Sequence, residues 1–504
     1  MEMFYSQGAY MFVPGIVWKS IHGKKYMVLR WKKWQNGQSR VVKEIYIGDA
    51  ERLARILENP GYDISVTSLS YGSTASILAM EKTIGIKGIV DGIVGHSGNG
   101  MSPGDYALLF AMNRLSDPRS KNGIGEWMKS DYASIIYPKV SSQGYWNMMD
   151  RFTMDHIRKI KEEIRDRLIS MGYDHSRMFV DGSNFHTYME ENDIAKKGHN
   201  KAHRYDLNQI SYYIEANEDY IPFYGDSYPG NMHDSKTFGM MVDAIPESSI
   251  LIFDRGYNSR ENIQKIRKRK YIGALVQSDH RDLMDIPVKK DSFIETRKTV
   301  YGIDHRIIVY HSSKLERKRI MAFMKMFREA YVKVRSIMES GDSDSLDRAR
   351  IYLESMQLQE TILLPDVTIA GDRMHSRLEM LGKTALFTSI SDLPGDEIID
   401  LYKKRNRVEH CFRTISMHDL MAPEYHWTPQ KIRVHMLFSH IAYLFLALIY
   451  NRISGITSLA SSIDTLKTIR ITFLLRNKEV RKVVTSQNEH GINAMKILGI
   501  EIVN

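Results

Sequence analysis

Residues 177–184 read RMFVDGSN, and residues 248–259 read SSILIFDRGYNS. Each contains an apolar run typical of a buried strand, and each run leads into an aspartate with a glycine close behind it. We predict that the first strand ends at Asp181, with the following Gly-Ser-Asn as a turn, and that the second ends at Asp254. Because the carboxyl ends of neighbouring central strands open into one crevice, these aspartates are expected to lie close together. A carboxylate in that position needs a charged partner, which suggests a shared metal ion.

The residues around these two strands carry further strand and helix patterns. Two runs rich in Tyr and Ile predict strands, a segment with an Asp or Ser cap predicts a helix, and a basic helix and another strand follow Asp254. In chain order these segments are NQISYYIEA (208–216), DYIPFYGDSYPGN (219–231), DSKTFGMMVDAI (234–245), residues 259–270 and YIGALVQ (271–277). The order β-β-β-α-β-α-β predicts a mixed α/β fold.

A third carboxylate, Glu409, stands in the basic stretch LYKKRNRVEHCFRTIS at residues 401–416. Read as a single helix, this stretch places Tyr402, Arg405 and Glu409 on one face, with either a Phe or an Arg one turn further on. Two interpretations stay open for the stretch alone. It is either a surface helix with ion pairs or a helix that brings a metal ligand among phosphate-binding side chains.

Together, Asp181, Asp254 and Glu409 would suit a pair of Mg²⁺ ions. Hard divalent cations prefer carboxylate oxygens, and Mg²⁺ keeps coordination positions for water and phosphate. Two such ions about 3.5–4 Å apart activate an attacking water or 3′-hydroxyl and stabilise the leaving oxygen of a phosphoryl transfer. Any one of these motifs alone is weak, because Asp before Gly is ordinary in turns.

In this order, VDGSN, IFDRGYNS, an intervening segment and the pattern Y-x-x-R-x-x-x-E resemble the acidic-triad (DDE) transposases of bacterial and archaeal insertion sequences. The likeness is greatest to the subgroup with a β-containing insertion before the Glu, and it covers about residues 175–445. It implies an RNase H-like catalytic core, with Asp181, Asp254 and Glu409 as ligands of Mg²⁺, for which Mn²⁺ substitutes. GHNKAHRYD (198–206) and GNMHDSKTF (230–238) also resemble core segments of that family.

The same resemblance assigns DNA-phosphate contacts to the basic stretch. The residues expected to bind DNA are Tyr402, Lys403, Lys404, Arg405 and Arg413. One departure from the family pattern is plain, because Ser416 stands where the family has a Lys. That lysine's phosphate contact is in doubt here, with Arg413 or His418 as the candidates to replace it.

Length and patterning predict several domains in this chain of 504 residues. The catalytic core is expected to be interrupted by an inserted subdomain of strands and long helices, and the C-terminal remainder to pack behind the catalytic sheet. The predicted divisions are a β-rich module at 1–70, a helical and DNA-binding region at 71–170, the first part of the core at 171–278, the insertion at 279–394, and the second part of the core with C-terminal helices at 395–504.

The charge and the cysteine content restrict which partners and which cellular compartment fit this protein. Lys and Arg number 70 against 60 Asp and Glu, giving a net charge of +10, which favours an anionic partner such as DNA. The single cysteine, Cys411, excludes an intrachain disulfide and fits a reducing cytoplasm, where the protein would associate with the nucleoid. No signal peptide is evident, and the apolar segment 434–450 is interrupted by polar residues, so we predict a buried core helix and no membrane span.

Two local patterns have competing interpretations. Asn36-Gly37 predicts a hairpin turn, and Trp31 and Trp34 beside it either touch DNA or pack across strands. The histidines of residues 199–203 invite a zinc site, although substrate contact or a solvated loop is favoured there.

The combined hypothesis is a transposase that binds terminal inverted repeats, hydrolyses the phosphodiester at the element ends and joins the freed 3′-hydroxyl to target DNA. A homodimer is expected in the complex that pairs two ends. One alternative is a nuclease of the same fold without strand transfer. Another is a DNA-binding protein derived from an inactive element, which Ser416 favours.

Overall fold

The structure is a computed structural model that describes residues 15–35, 38–51, 54, 64–96, 98, 100–137, 140–198, 206–421, 426, 428–476 and 479–500. The chain divides into two compact units. The first unit comprises Met1–His175, Gly182–Met232 and Arg407–Asn504, and the second comprises Ser176–Asp181 and His233–Asn406. Helices and strands occur in both, so the mixed α/β class is confirmed.

The first unit begins with an antiparallel sheet of β1 (Gly15–Ile21), β2 (Lys24–Gln35) and β3 (Gln38–Asp49). Gln35 pairs with Gln38 across the β2–β3 connection. The predicted turn residues 36 and 37 lie outside the described residues, as do residues 199–203 of the histidine segment. Trp31 is buried and lies under the ammonium of Lys43, 5.1 Å from its ring centroid.

A set of helices follows strand β4 (Ile64–Ser70) in the region predicted to be helical. They are α1 (Gly72–Ile84), α2 (Ile86–Val94), α3 (Pro103–Ser116), α4 (Ile124–Met128), α5 (Ala133–Ile136), α6 (Ser142–Met149) and α7 (Met154–Ser170). Capping chemistry sets the start of α3, where Ser102 and Asp105 form a reciprocal capping box and Pro103 occupies the first helical position.

Strand β5 (Arg177–Thr187) continues beyond Asp181, so the predicted turn at the following Gly-Ser-Asn is wrong. These residues stay extended because they join the sheet beside β6 (Asn208–Ala216), where the Ser211 hydroxyl donates to Asn184 Oδ1 at 2.6 Å. β6 pairs antiparallel with β7 (Pro222–Pro229) in the first unit. Ladder pairing therefore outweighs the local turn preference of Gly182.

The second unit contains the other strands that flank β5. Its elements before β10 are α8 (Asp234–Ala244), β8 (Ile250–Phe253), α9 (Arg260–Lys265), β9 (Tyr271–Ala274) and α10 (Arg281–Met284). β5 pairs parallel with β8, and β8 pairs parallel with β9. The predicted basic helix 259–270 is thus shorter than expected.

The segment 279–394 contributes both strands and helices to the second unit. Its elements are β10 (Phe293–Val300), β11 (Ile303–His311), α11 (Ser313–Glu339), α12 (Ser345–Ser355), β12 (Ile362–Leu363), β13 (Thr368–Ile369), α13 (Gly371–Met380) and β14 (Lys383–Thr388). β10, β11 and β14 extend the sheet in the order β10-β11-β14-β9. Phe323, Phe327 and Leu353 belong to a separate apolar core that holds α11 against α12.

The basic stretch 401–416 is divided between two helices, so its prediction as one continuous helix is wrong. α14 (Gly395–Lys403) ends just before the turn at Lys404 and Arg405, and α15 (Asn406–Met417) begins after it. The Arg405 amide bonds to the Tyr402 carbonyl three residues back, which tightens the last turn of α14.

The apolar segment 434–450 lies in helix α16 (Pro429–Ile453), the core helix of the first unit. By length and composition it could cross a membrane, but 94% of its most apolar window is buried inside the protein. It packs against β7, and Arg433 donates to the Ser227 carbonyl at 3.0 Å. The prediction of a buried core helix is confirmed.

The C-terminal strands join β4 in a second sheet, and the predicted packing of the whole remainder behind the catalytic sheet stays a prediction. After α17 (Ser462–Lys467), β15 (Ile469–Arg476) pairs antiparallel with both β4 and β16 (Glu479–Ser486), and α18 (Glu489–Leu498) follows. Long-range pairing with β4 is not encoded in the local pattern of β15.

The buried His440 on α16 predicts acid sensitivity of the first unit. Its Nδ1 lies 3.0 Å from the Tyr212 hydroxyl, and burial lowers the pKa of His440 to about 3. An unfolded histidine titrates near pH 6.5, so below that pH the unfolded chain binds more protons and stability is lost as pH falls. Urea unfolding between pH 6.5 and 5 should show a slope that His440→Asn reduces by up to about 1.4 kcal/mol per pH unit. An unchanged slope would contradict the assignment.

Candidate active site

Asp181 and Asp254 occupy matching positions on two neighbouring parallel strands of the second unit. Val180 of β5 is the register partner of Phe253, the last residue of β8. An aspartate follows each of them, Asp181 within β5 and Asp254 directly after β8. Adjacent strands are about 4.8 Å apart, which brings both carboxylates to one edge of the sheet. The predicted proximity of the two side chains rests on this register.

Asp254 is held by the backbone that follows it. Its carboxylate accepts a hydrogen bond of 2.8 Å from the Arg255 amide, at the start of a short 3-10 turn that spans Arg255–Tyr257. The orientation of the Asp254 carboxylate is therefore set by a backbone donor.

Arg405 provides a positive charge beside Asp181. The two side chains approach to 3.7 Å between the guanidinium and a carboxylate oxygen, and they are only 13% and 15% exposed. The guanidinium carbon also lies 5.9 Å from the centroid of the Tyr402 ring. Arg405 thus offsets part of the charge that two adjacent aspartates concentrate.

Tyr402 is the neutral polar group of this cluster. Burial raises the pKa of Tyr402, and the negative charge of Asp254 raises it further. The phenol therefore keeps its proton at neutral pH and can donate a hydrogen bond to an anionic oxygen.

A cavity of about 630 Å³ opens beside these residues. Among the carboxylates in the described ranges, only Asp254 lines it, while the other charged lining groups are cations. The lining cations are Arg255, Lys314, Lys318, Arg319, Lys403 and Arg405. Such a cavity attracts a polyanion and repels further carboxylates.

The inserted segment supplies half of these cations from the start of α11. Lys314 and Lys318 are exposed there, and the helix N-terminus adds its own partial positive charge. Arg319 is anchored, since it donates to the carbonyls of Leu381 and Lys383 at 3.0 and 3.1 Å. The sequence signal for these cations is a cluster of basic residues in the first two turns of α11. The same cluster is equally typical of a solvent-exposed helix face.

Of the other predicted residues, Lys404 lies in the turn before α15, and Glu409 and Arg413 lie on α15 in the first unit. Glu409 and Arg413 have exposed side chains, as does Ser416. Arg407, also basic, is committed to structure, because it donates to the Glu218 carbonyl at 3.0 Å. His418 is likewise engaged, with its Nε2 at 2.7 Å from the Ala460 carbonyl.

Asp181 and Asp254 fit two ligands of a hard divalent cation, because both are carboxylates on adjacent strand positions and one is already oriented by a backbone donor. Within the described ranges, no group of three or more His, Cys, Asp or Glu side chains is placed to hold a metal ion. A third carboxylate would approach this pair only with a bound cation, because the negative charges repel one another.

Residues 172–445 match the protein family described as "Transposase DDE domain". The match begins just before β5, ends within α16 and covers more than half of the chain. No curated protein matches the chain.

This chain belongs to the DDE transposase family, a class of DNA-binding recombination enzymes that typically use a divalent metal. The predicted resemblance to that family is confirmed, and the family implies a DNA partner and a role in transposition.

Loss of the Arg405 guanidinium should destabilise the second unit. We expect Arg405→Met to lower the free energy of unfolding by about 1–3 kcal/mol in metal-free buffer, because Asp181 loses its neighbouring charge. Excess Mg²⁺ should recover part of this loss by replacing the missing cation. The matched control is Lys403→Met, whose ammonium is 54% exposed beside Asp400 and should cost less than about 0.5 kcal/mol. Equal stability of the two variants in urea unfolding would refute this role for Arg405.

Proposed function

We propose that this transposase cuts DNA at the ends of its own element and transfers the freed 3′-hydroxyl to target DNA. The observation that carries the proposal is the register of Asp181 and Asp254 on parallel strands, beside a cavity lined by cations. The strand neighbours also support an RNase H-like core. β5 adjoins β6, which pairs with β7 in the first unit. In the second unit β5 pairs parallel with β8, and β8 pairs parallel with β9.

Asp181, Asp254 and Glu409 are the proposed ligands of Mg²⁺, with Mn²⁺ as a substitute. When bound, the metal would activate the attacking oxygen and stabilise the leaving one. The protein's own part is to hold the scissile phosphate in place. Arg405 and the protonated Tyr402 would donate to its oxygens, and the Arg255 amide would keep Asp254 oriented.

The DNA backbone is proposed to run through the cationic cavity of the second unit. Lys403 and Arg405 line the cavity. Lys314 and Lys318, in the first turns of α11, line it as well. Lys404 and Arg413 are proposed as further phosphate contacts. Phosphate contacts fix position without reading sequence, so recognition of the inverted repeats is assigned to the helical region 71–170.

A homodimer is the proposed assembly on DNA, because transposition must pair two ends. A second candidate function is DNA binding without catalysis, and Ser416 in the position of the family's Lys favours it. A nuclease without strand transfer would share the same carboxylates. A strand-transfer assay with a pre-cleaved end identifies the transposase, since only it joins the end to a second DNA. Cleavage of uncut inverted-repeat DNA in Mg²⁺ or Mn²⁺ then separates the nuclease from the inactive binding protein.

Removing any one proposed metal ligand should abolish cleavage without abolishing DNA binding. Asp181→Asn, Asp254→Asn and Glu409→Gln should each reduce Mg²⁺-dependent cleavage of inverted-repeat DNA by at least about 100-fold, because the charge that holds the metal is lost. Asp392→Asn is the matched control, since its carboxylate is exposed and paired with Lys270 at 2.7 Å. Normal end cleavage by Glu409→Gln would refute the assignment of that residue as a metal ligand.

The exposed lysines of α11 should contribute to DNA affinity through phosphates alone. The double variant Lys314→Ala with Lys318→Ala should weaken binding to all duplex sequences about equally and lower the slope of log K against log salt by about 2. Lys325→Ala is a control on the same helix, exposed and away from the cavity. Anisotropy titrations over a salt series measure both quantities, and a slope equal to the control's would exclude these lysines from the DNA path.

A further inference from the structure

The cavity beside Asp254 has a smaller neighbour of about 170 Å³, which also belongs to the second unit. Arg255 and Gln277 line both cavities, so the two share a wall. The smaller cavity, called the arginine pocket below, has two further arginines and a second glutamine in its wall, which are Arg281, Arg377 and Gln357. Among the described residues that line it there is no carboxylate.

The shared wall is held in place by the first residue of β14. Gln277 Nε2 donates to the Lys383 carbonyl at 2.6 Å, and the Arg319 guanidinium donates to the same carbonyl at 3.1 Å. Burial lowers the pKa of Arg319, and the positive charge of Arg255 acts in the same direction, so the two guanidiniums lie near each other. Positive charge therefore continues from the larger cavity across Arg255 into the arginine pocket.

The insertion supplies the outer wall of the arginine pocket. Gln357 follows the end of α12, and Arg377 lies in the last turn of α13. A cation in that turn stabilises a helix by itself, but Arg377 is also half-buried in the pocket wall. Gln357 has a φ of +54°, a left-handed conformation in which glycine is the usual residue after a helix. A glutamine side chain thus lines the pocket from a position where the backbone alone favours glycine.

The polar groups of the arginine pocket suit a phosphate diester. Arg281 pairs with Glu360 at 3.5 Å, whereas Arg255 and Arg377 make no ion pair within the part of the chain that the structure describes. Planar guanidiniums bind phosphate oxygens in a bidentate way, and a glutamine amide can add a further N–H donor. The apolar side chain of Met380 borders the same space. The lining therefore matches a DNA backbone, with phosphate for the arginines and deoxyribose for the methionine.

A DNA strand that is cut beside Asp254 continues on both sides of the cut. The element end stays bound from cleavage to strand transfer, whereas the other segment is exchanged, because flanking DNA leaves and target DNA enters. The larger cavity has more lining cations and receives them from both α11 and the end of α14, which suits the retained segment. The arginine pocket is smaller and is bordered by the exposed Arg255 and Gln357, which suits the exchanged segment.

We propose that the arginine pocket binds a backbone phosphate of the DNA segment beyond the element end. That segment is flanking DNA before cleavage and target DNA at strand transfer. Arg255 and Arg377 contact the phosphate, with Gln357 beside them, and Arg377 acts as a positioning residue. The inference rests on the proposed function, because it takes the element end to lie in the larger cavity.

Anisotropy titrations of the full chain in chelator, where no DNA is cut, compare two element-end duplexes. One extends past the cleavage position into flanking DNA, and the other stops at that position. Arg377→Met should weaken binding of the extended duplex by about 3–10-fold, lower its salt slope by about 1, and leave binding of the shorter duplex unchanged. Arg373→Met is the matched control, an exposed arginine of the same helix that lines neither cavity. Unchanged affinity for the extended duplex in Arg377→Met, or an equal loss for both duplexes, would overturn the proposal.

Gln357→Gly guards against a folding defect, because it removes a pocket side chain and suits the left-handed backbone at this position. Added to Arg377→Met, it should weaken binding of the extended duplex further, with little change in melting temperature. Binding equal to that of Arg377→Met alone would exclude Gln357 from the site.

Steady-state cleavage separates positioning from chemistry. In Mg²⁺, Arg377→Met should raise KM for the extended duplex by about 3–10-fold and leave kcat within about 2-fold of the wild type, because the pocket holds DNA away from the reacting oxygens. With a pre-cleaved end, half-maximal strand transfer should likewise need more target DNA. A lowered kcat at unchanged KM would contradict the positioning role.

Failure of the arginine pocket and failure of the catalytic site give different results. If Arg377→Met binds both duplexes like the wild type while Asp254→Asn still abolishes cleavage, only the pocket is refuted. Normal cleavage by Asp254→Asn would refute the proposed catalytic site, whatever the binding results in chelator.

Discussion

The parallel pairing of β5 with β8 is the constraint on which the candidate site depends. It fixes Asp181 and Asp254 at neighbouring positions of the sheet, where two negative charges repel each other. The fold supplies positive charge to match. Arg405 approaches Asp181, and the cations of the neighbouring cavity surround Asp254. The same charges that make the pair tolerable in the folded protein are those that suit a phosphate backbone.

The inserted segment adds to this site because it is tied to the sheet at both of its ends. β10 and β11 enter the sheet at its start, and β14 returns directly beside β9. Between them, α11 and α12 have an apolar core of their own, which stabilises a long helix outside the sheet. A helix held in this way can present the lysines of its first turns at a defined position, where a flexible loop could not.

The sequence predicts the parts of the site that depend on local pattern. An apolar run that leads into an aspartate is a local signal, and so is the spacing of Tyr402 and Arg405. The predictions that were wrong concern residues whose partners lie far away in the chain. Gly182 reads as a turn, yet its strand continues because β6 lies beside it. The helix predicted through Arg405 is broken where that side chain is drawn to Asp181. The contact of Lys121 with His426 joins residues 305 positions apart, which no periodicity records.

Strand β4 has a consequence for how the protein is made. Its neighbour in the sheet is β15, whose residues Ile469–Arg476 are synthesised about four hundred positions later. The N-terminal helices pack with α16, so their packing is completed only after the C-terminal part of the chain has been synthesised. Contacts of such long sequence separation form slowly. A chain cut short on the ribosome before residue 429 lacks both the core helix and the partner strand of β4, so it cannot complete the first unit.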